Sequence, residues 1–278
     1  MPKLLVTTDF SENSKAGIRF ALQLASQTRA ELEFYHLVEI TKPTAWSDRK
    51  FKFLAEERLK QALFKLKKFV AKIVLKSGQP AGKHSFRVVI GNDASEHIIS
   101  HAKKSKFDYI CMSTHGAGKL RKLIGTHASA LITASPIPVF VVPKGYRSKP
   151  ISKLFYASDF SNLAKELSQV DQFAKLIHAH LEVYHFDYLL HVDENRKKLE
   201  AKAAKFKKPS ITFNFKRLEV EFTLADHLKK YVQKIRSQLL ILFTKQNRTW
   251  YDKLLRNASS AEMTFHSKTP LLVFRKRK

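Results

Sequence analysis

The sequence predicts an α/β protein of two repeated, doubly wound parallel-sheet domains. Two observations carry that prediction. Short apolar runs alternate with helical patterns along the whole chain, and the order of these segments recurs at an offset of about 130–150 residues. Alternation of this kind implies parallel strands covered by helices on both faces, with right-handed crossovers.

The repeat is read directly from matched strings. LLVTTDFSENSKAGIRFALQLASQTRAELEFYH (4–36) faces LFYASDFSNLAKELSQVDQFAKLIHAHLEVYH (154–185). Both hold an apolar run, then DFS, then a helical pattern, then a strand ending in Tyr-His. VVIGNDASEHI (88–98) faces LEVEFTLADHL (218–228), and DYICMST (108–114) faces SQLLILFT (237–244). KLIGTHASALITASPIPVFVV (122–142) faces KLLRNASSAEMTFHSKTPLLVF (253–274). Matches in a fixed order indicate a duplicated domain. The Pro-, Gly- and charge-rich PKGYRSKP (143–150) marks the boundary, giving domains 1–147 and 151–278.

In the first copy, strands are predicted near 3–8, 31–38, 84–90, 108–113 and 137–142. Helices are predicted near 13–28, 48–76, 93–104 and 125–134. Asn13 or Ser14 can cap the first helix, and Asp93 or Ser95 the third. Segment 48–76 carries Phe53, Leu54, Leu59, Leu63, Phe64, Leu66, Phe69, Val70 and Ile73, with Lys60, Lys65, Lys67, Lys68, Lys72 and Lys76 between them. That is an amphipathic helix with a basic face. Packing on the sheet is the expected role of its apolar residues, ahead of membrane-surface binding. In the second copy, NRKKLEAKAAKFKKPS (195–210) reads as a basic helix ending at Pro209, and the terminal FRKRK as a solvated tail.

Composition narrows the class. The 278 residues are 44% hydrophobic, as in a globular chain, and no apolar run reaches the roughly 18 residues of a membrane span. The first residues, MPKLLVTTDF, lack the features of a secretion signal. The lone Cys111 excludes an internal disulfide and sits in an apolar run, as a buried thiol would. The expected location is cytoplasmic. Net charge is +27, divided as +15 and +12 between the halves, from 26 basic against 11 acidic residues and 25 against 13. Such a field attracts anionic partners non-specifically, but solvated lysine-rich helix faces are the preferred account of it, because no recognised nucleic-acid motif accompanies the charge.

Ligands of doubly wound sheets sit beyond the carboxyl ends of the strands, where strand order reverses. Asp9 follows the first strand and a glycine loop, STHGAGKLRKLIGT, follows the fourth. Gly116 and Gly118 allow a ligand close to the backbone. Gly125-Thr126 opens a helix whose N–H groups and dipole favour phosphate. Lys119, Arg121 and Lys122 add positive charge, and the Thr126 hydroxyl, His115 and His127 can donate. GAGK is no Walker A loop, because the preceding glycine spacing is missing and Leu120 stands where Ser or Thr would hold magnesium. A plain strand-to-helix turn remains the alternative.

TTDFSENS, STHGAGKLRKLIGT and SPIPVFVVP together resemble the universal stress proteins, here in a tandem two-domain form. The resemblance covers nearly the whole chain. It implies two adenine nucleotide alpha hydrolase-like domains packed as a pseudo-dimer, with VFVV (139–142) and LLVF (271–274) pairing internally and homodimers allowed. The family's nucleotide-binding branch carries G-x2-G-x9-G-(S/T), which grips ribose and triphosphate. The resemblance places Ser113 at its first glycine, Gly116 at its second and Gly125-Thr126 at its last pair. It matches Thr8 and Asp9 to the loop beside the nucleotide, and Leu37 and Met112 to positions flanking adenine. The implied ligand is ATP, ADP or AMP, with or without magnesium. Two departures stand out: Ser113 adds a side chain where the backbone should come close, and eight residues separate Gly116 from Gly125 instead of nine.

The second copy keeps Asp159 and Ser161, yet LFTKQNRTWYDKLLRNASS (242–260) has no glycine, and Arg256-Asn257 replace Gly125-Thr126. It reads as a degenerate partner domain in which Trp250 and Tyr251 can fill the pocket. His178, His180, His185 and His191 form no spacing with a fixed metal geometry. His36 and His185 end equivalent strands, as an inherited structural position would. No nucleophile–base pair assembles. Three functions therefore stand: a nucleotide-dependent stress or regulatory protein with an unidentified protein partner, a scaffold with a vestigial pocket and a basic docking surface, or a slow ATP hydrolase.

Overall fold

The computed structural model describes residues 1–114, 126–188, 193–244 and 268–276. Side chains of 126–129 and 193 are outside that description. The chain divides into two compact units, Met1–Ser148 and Lys149–Lys278.

The first unit runs β1 (Lys3–Thr7), α1 (Ser14–Thr28), β2 (Glu31–Val38), α2 (Asp48–Ser77), β3 (His84–Ile90), α3 (Ala94–Lys104), β4 (Tyr109–Ser113), α4 (Thr126–Ala134) and β5 (Val139–Val142). Its strands pair in parallel in the order β3-β2-β1-β4-β5. Strand order reverses between β1 and β4, so the switch point lies beyond Thr7 and Ser113. β1 contributes Leu4, Leu5 and Val6 to the core, and β4 contributes Ile110, Cys111 and Met112, all buried. A strand covered on both faces reads as an unbroken apolar run, which is why alternation is absent there. Burial pushes the Cys111 thiol well above its ordinary range, so it is an inert apolar filler.

The second unit runs β6 (Lys153–Ala157), α5 (Leu163–Leu176), β7 (His180–Asp187), α6 (Asp193–Ala204), β8 (Ile211–Arg217), α7 (Leu224–Lys234), β9 (Leu239–Thr244) and β10 (Leu271–Arg275). Its parallel order, β8-β7-β6-β9-β10, repeats that of the first. The duplication extends to backbone strain. Six non-glycine residues hold positive φ among those described, and they form three matched pairs: Phe10 and Phe160 (64° and 59°), Arg29 and His178 (55° and 53°), Lys106 and Arg236 (54° and 55°). Left-handed backbone at a residue with a Cβ is uncommon, so three coincidences of place indicate inherited turns.

Several details differ from the sequence reading. Asn13 caps α1 without a side-chain hydrogen bond. Asp93 accepts from the N–H groups of Ser95 (2.8 Å) and Glu96 (3.1 Å). Asp93→Ala should therefore cost about 1 kcal/mol in urea denaturation, the usual size of a lost cap. β8 ends at Arg217, so LEVEF is the loop after the strand, held by Glu219 N–H donating to His227 Nε2 at 3.2 Å. α6 stops at Ala204, five residues short of Pro209, and the chain turns through Phe206 N–H to Ala203 carbonyl at 2.9 Å. In α2 only Leu66, Val70 and Ile73 are buried, while Phe53 and Phe64 are 68% and 71% exposed. One narrow stripe of this 30-residue helix is fully buried, Leu54, Leu59, Leu63 and Phe69 beside it are half-buried, and Phe53, Phe64 and Leu75 on the opposite side are left in solvent. No described helix is long and apolar enough to cross a membrane.

Candidate functional site

The turn after β1 is held by its own polar side chains. Thr8 Oγ1 accepts from Phe10 N–H (3.1 Å), Asp9 Oδ1 from Ser11 N–H (3.0 Å), and Ser11 Oγ from Ser14 N–H (3.2 Å). Ser14 Oγ donates to the Ser11 carbonyl (2.8 Å) and lies 2.9 Å from Thr8 Oγ1. Short hydroxyl and carboxylate side chains satisfy nearby N–H groups in this way, which explains how Phe10 keeps its left-handed φ. His36 Nδ1 lies 2.8 Å from the Thr8 carbonyl, and an acceptor of that kind fixes the proton on Nδ1. Burial, reinforced by Lys65, holds the His36 pKa below its ordinary value. The ring packs at a tilt of 41° against Phe10 (4.1 Å), which also meets Phe69 (5.6 Å) and lies under Lys65 Nζ (4.4 Å).

Beside that turn, the end of β4 is joined to α1. Ser113 Oγ accepts from Gly17 N–H at 3.1 Å, in a buried bond, and Cys111 Sγ lies 3.5 Å from the Gly17 carbonyl. A Cβ on Gly17 would stand 3.0 Å from Ser113 Oγ and 3.5 Å from the Met112 carbonyl carbon. The missing side chain is what lets the first turn of α1 approach the switch point. Ser113 is thus turned toward the helix, its hydroxyl engaged with the scaffold.

Thr8, Asp9, Leu37, Met112 and Ser113 gather at one carboxyl-terminal edge of the sheet, by the register of Thr7 with Tyr35 and Val6 with Cys111. Asp9 is exposed, Leu37 half-buried, and Thr8, Met112 and Ser113 buried. α4 begins at Thr126, where the sequence places a helix start. His115, Gly116, Gly118, Lys119 and Gly125 lie outside the described residues, as do the side chains of Thr126 and His127. In the second unit His191, Trp250, Tyr251, Arg256 and Asn257 lie outside them too. Among the described residues, no group of three or more His, Cys, Asp or Glu can hold a metal ion.

The universal stress protein family model matches residues 1–143. The chain belongs to the universal stress protein family. Solved structures agree on the fold across both units. A universal stress protein from Archaeoglobus fulgidus DSM 4304 is 17% identical, with a TM-score of 0.65, over 99% of this chain and 96% of that one. A functionally unknown protein from Pseudomonas aeruginosa PAO1 is 14% identical, with a TM-score of 0.59, over 99% and 92%. No curated protein is matched by the sequence.

The second unit of this universal stress protein repeats the turn and fills the space beside it. Ser158 Oγ accepts from Phe160 N–H (3.1 Å), Asp159 from Ser161 N–H (2.9 Å), and His185 Nδ1 meets the Ser158 carbonyl (2.9 Å). Because both units build this histidine contact, it belongs to the scaffold. Counting from the helix N-caps Asn13 and Asn162, Glu166 stands where the first unit has Gly17. By strand register, Phe243 stands at the place of Ser113 and Tyr156 at that of Val6. Lys276 corresponds to Lys144, which is exposed in the first unit.

Lys276 is not part of a solvated tail. Its side chain is 8% exposed, and Nζ lies 2.9 and 2.8 Å from the two Asp159 carboxylate oxygens. It also lies 2.6 Å from Ser161 Oγ and 2.9 Å from Glu166 Oε1. Tyr156 donates its phenol proton to Glu166 Oε2 at 2.5 Å. Burial pulls the Asp159 carboxyl upward, but the Lys276 ammonium and Ser161 outweigh it and hold the pKa below its ordinary value. Burial works to lower Lys276, and Asp159 with Glu166 outweigh it and raise it. Sequence reasoning found Asp159 and Ser161 and missed Glu166, Tyr156 and Lys276. The available signal was Glu166 at the position of Gly17, one helical turn past the cap.

Proposed function

We propose that the first unit is an adenine-nucleotide-binding module of a stress-response regulator, and that the second is a partner whose matching cleft is closed by its own side chains. The observation that carries this is the difference between the two units at three matched positions. The first unit keeps Gly17 and Ser113 small beside the switch point, whereas the second places Glu166, Phe243 and Lys276 there. Half-buried Leu37 and buried Met112 offer an apolar surface to a base, and exposed Asp9 a carboxylate to base or ribose. The triphosphate falls to Gly116, Gly118, Lys119, Gly125 and the N-terminal turn of α4, where free N–H groups and the helix dipole favour anions. Magnesium would then be held by phosphate oxygens and water more than by protein.

Nucleotide state would change which protein partner the regulator contacts. Titration calorimetry with ATP, ADP and AMP tests the reading. Micromolar ATP binding that is lost in Gly125→Arg is the expected result. Absence of heat at millimolar ATP would sink it and leave the scaffold reading, supported by the +27 charge. Slow hydrolysis is the third reading, and turnover abolished by Asp9→Ala would select it.

A further inference from the structure

We infer that the outer face of α2 is a docking surface for an anionic lipid membrane. The inference is independent of nucleotide binding. Phe53, Phe64 and Leu75 are 68%, 71% and 84% exposed, the three exposed large apolar side chains of this helix among the described residues. They recur every eleven residues, which is three turns plus only about 20°. They therefore form one ridge about 33 Å long, on the side of the helix about 150° away from buried Leu66, Val70 and Ile73. The fold uses the inner stripe and leaves this ridge in solvent.

Charge flanks the ridge on both sides. Arg49, Lys50, Lys60, Lys67 and Lys68 are exposed and lie within about 60° of it, against Glu57, which pairs with Lys60 at 3.8 Å. Glu56 stands further round. Lys50 sits over the Trp46 ring at 4.5 Å, just before the helix. The helix as a whole holds ten Lys and Arg against three Asp and Glu. Apolar side chains projecting from a basic helix face are the pattern of helices that lie in the membrane interface, with lysines meeting acidic headgroups. A convex ridge fits a fluid, flat surface along its whole length, with no matching groove required. The +27 body supplies the long-range attraction, and the ridge supplies the insertion.

Co-sedimentation of the full chain with vesicles tests this. Wild type should bind vesicles containing phosphatidylglycerol and not pure phosphatidylcholine. Phe53→Ser/Phe64→Ser should weaken that binding by about ten-fold or more, since each exposed ring contributes its insertion. Its thermal unfolding should stay unchanged, because neither ring packs in the fold. Phe64→Trp emission should shift to the blue on anionic vesicles alone. Equal vesicle binding by the double variant would overturn the proposal, leaving diffuse electrostatics. Absence of vesicle binding would overturn it too, as would a wild-type dimer that the double variant dissolves. Loss of polyuridylate binding in that variant, with vesicles unbound, would reassign the ridge to nucleic acid and overturn it equally.

Discussion

Replacing Lys276 with methionine is expected to destabilise the second unit by about 3–5 kcal/mol, the usual cost of leaving a buried charge without its partner. Glu166 is 4% exposed and would lose its cation, while its other oxygen still accepts from Tyr156. Asp159 is more open, with 38% of its side chain exposed, so water recovers part of its loss and the lower end of the range applies to it. The second replacement in the cycle decides the interpretation. Glu166→Gln added to Lys276→Met should restore much of the loss, because removing both charges of a buried pair is far less costly than removing one. Urea denaturation followed by far-UV circular dichroism measures both. A single variant as stable as wild type would show that Lys276 is the solvated tail residue its sequence position suggests.

The same contacts make a pH prediction. Asp159 titrates below its ordinary value of 3.8 in the folded chain, so its contribution is present above that value and lost as pH falls through the depressed one. Lys276 titrates above its ordinary 10.5, so its contribution is complete below that value and lost as pH rises through the elevated one. The interaction is therefore intact across the whole neutral range and fails only at the extremes.

The two units show which parts of this molecule are written locally. The repeat and the alternation of strand and helix follow from apolar periodicity, because parallel strands covered on both faces leave an unmistakable run such as LLV or LLIL, whereas the strand order is set by long-range pairing that periodicity does not record. The break between β1 and α1 was legible, but the bonds by which Thr8, Asp9 and Ser11 hold that turn were not, because the sequence reading puts the capping role on Asn13 or Ser14. Nor was Lys276, because it is one base among four in FRKRK, and only the third dimension shows which of them turns inward. Phe53 and Phe64 failed for a related reason. α2 is apolar on more than one side, and periodicity alone does not say which stripe meets the sheet.

Ser113 carries the remaining prediction, and it separates two meanings of one residue. If its side chain stood in the way of the nucleotide, Ser113→Gly would recover the family's glycine and tighten ATP binding. The hydrogen bond to Gly17 predicts otherwise. Removing the hydroxyl leaves a buried N–H in the first turn of α1 without its partner, at a cost of about 1–3 kcal/mol. Glycine adds backbone freedom to the end of β4, worth about a further 0.5–1 kcal/mol. Ser113→Ala isolates the first term, and Ser113→Thr keeps the donor's partner. Denaturation should rank the stabilities wild type, then alanine, then glycine. ATP affinity measured by calorimetry should be unchanged or weaker in both small variants, because the helix start they loosen is the one that borders the switch point. Affinity raised by Ser113→Gly, without loss of stability, would show that the hydroxyl obstructs the ligand and that the contact with Gly17 is incidental.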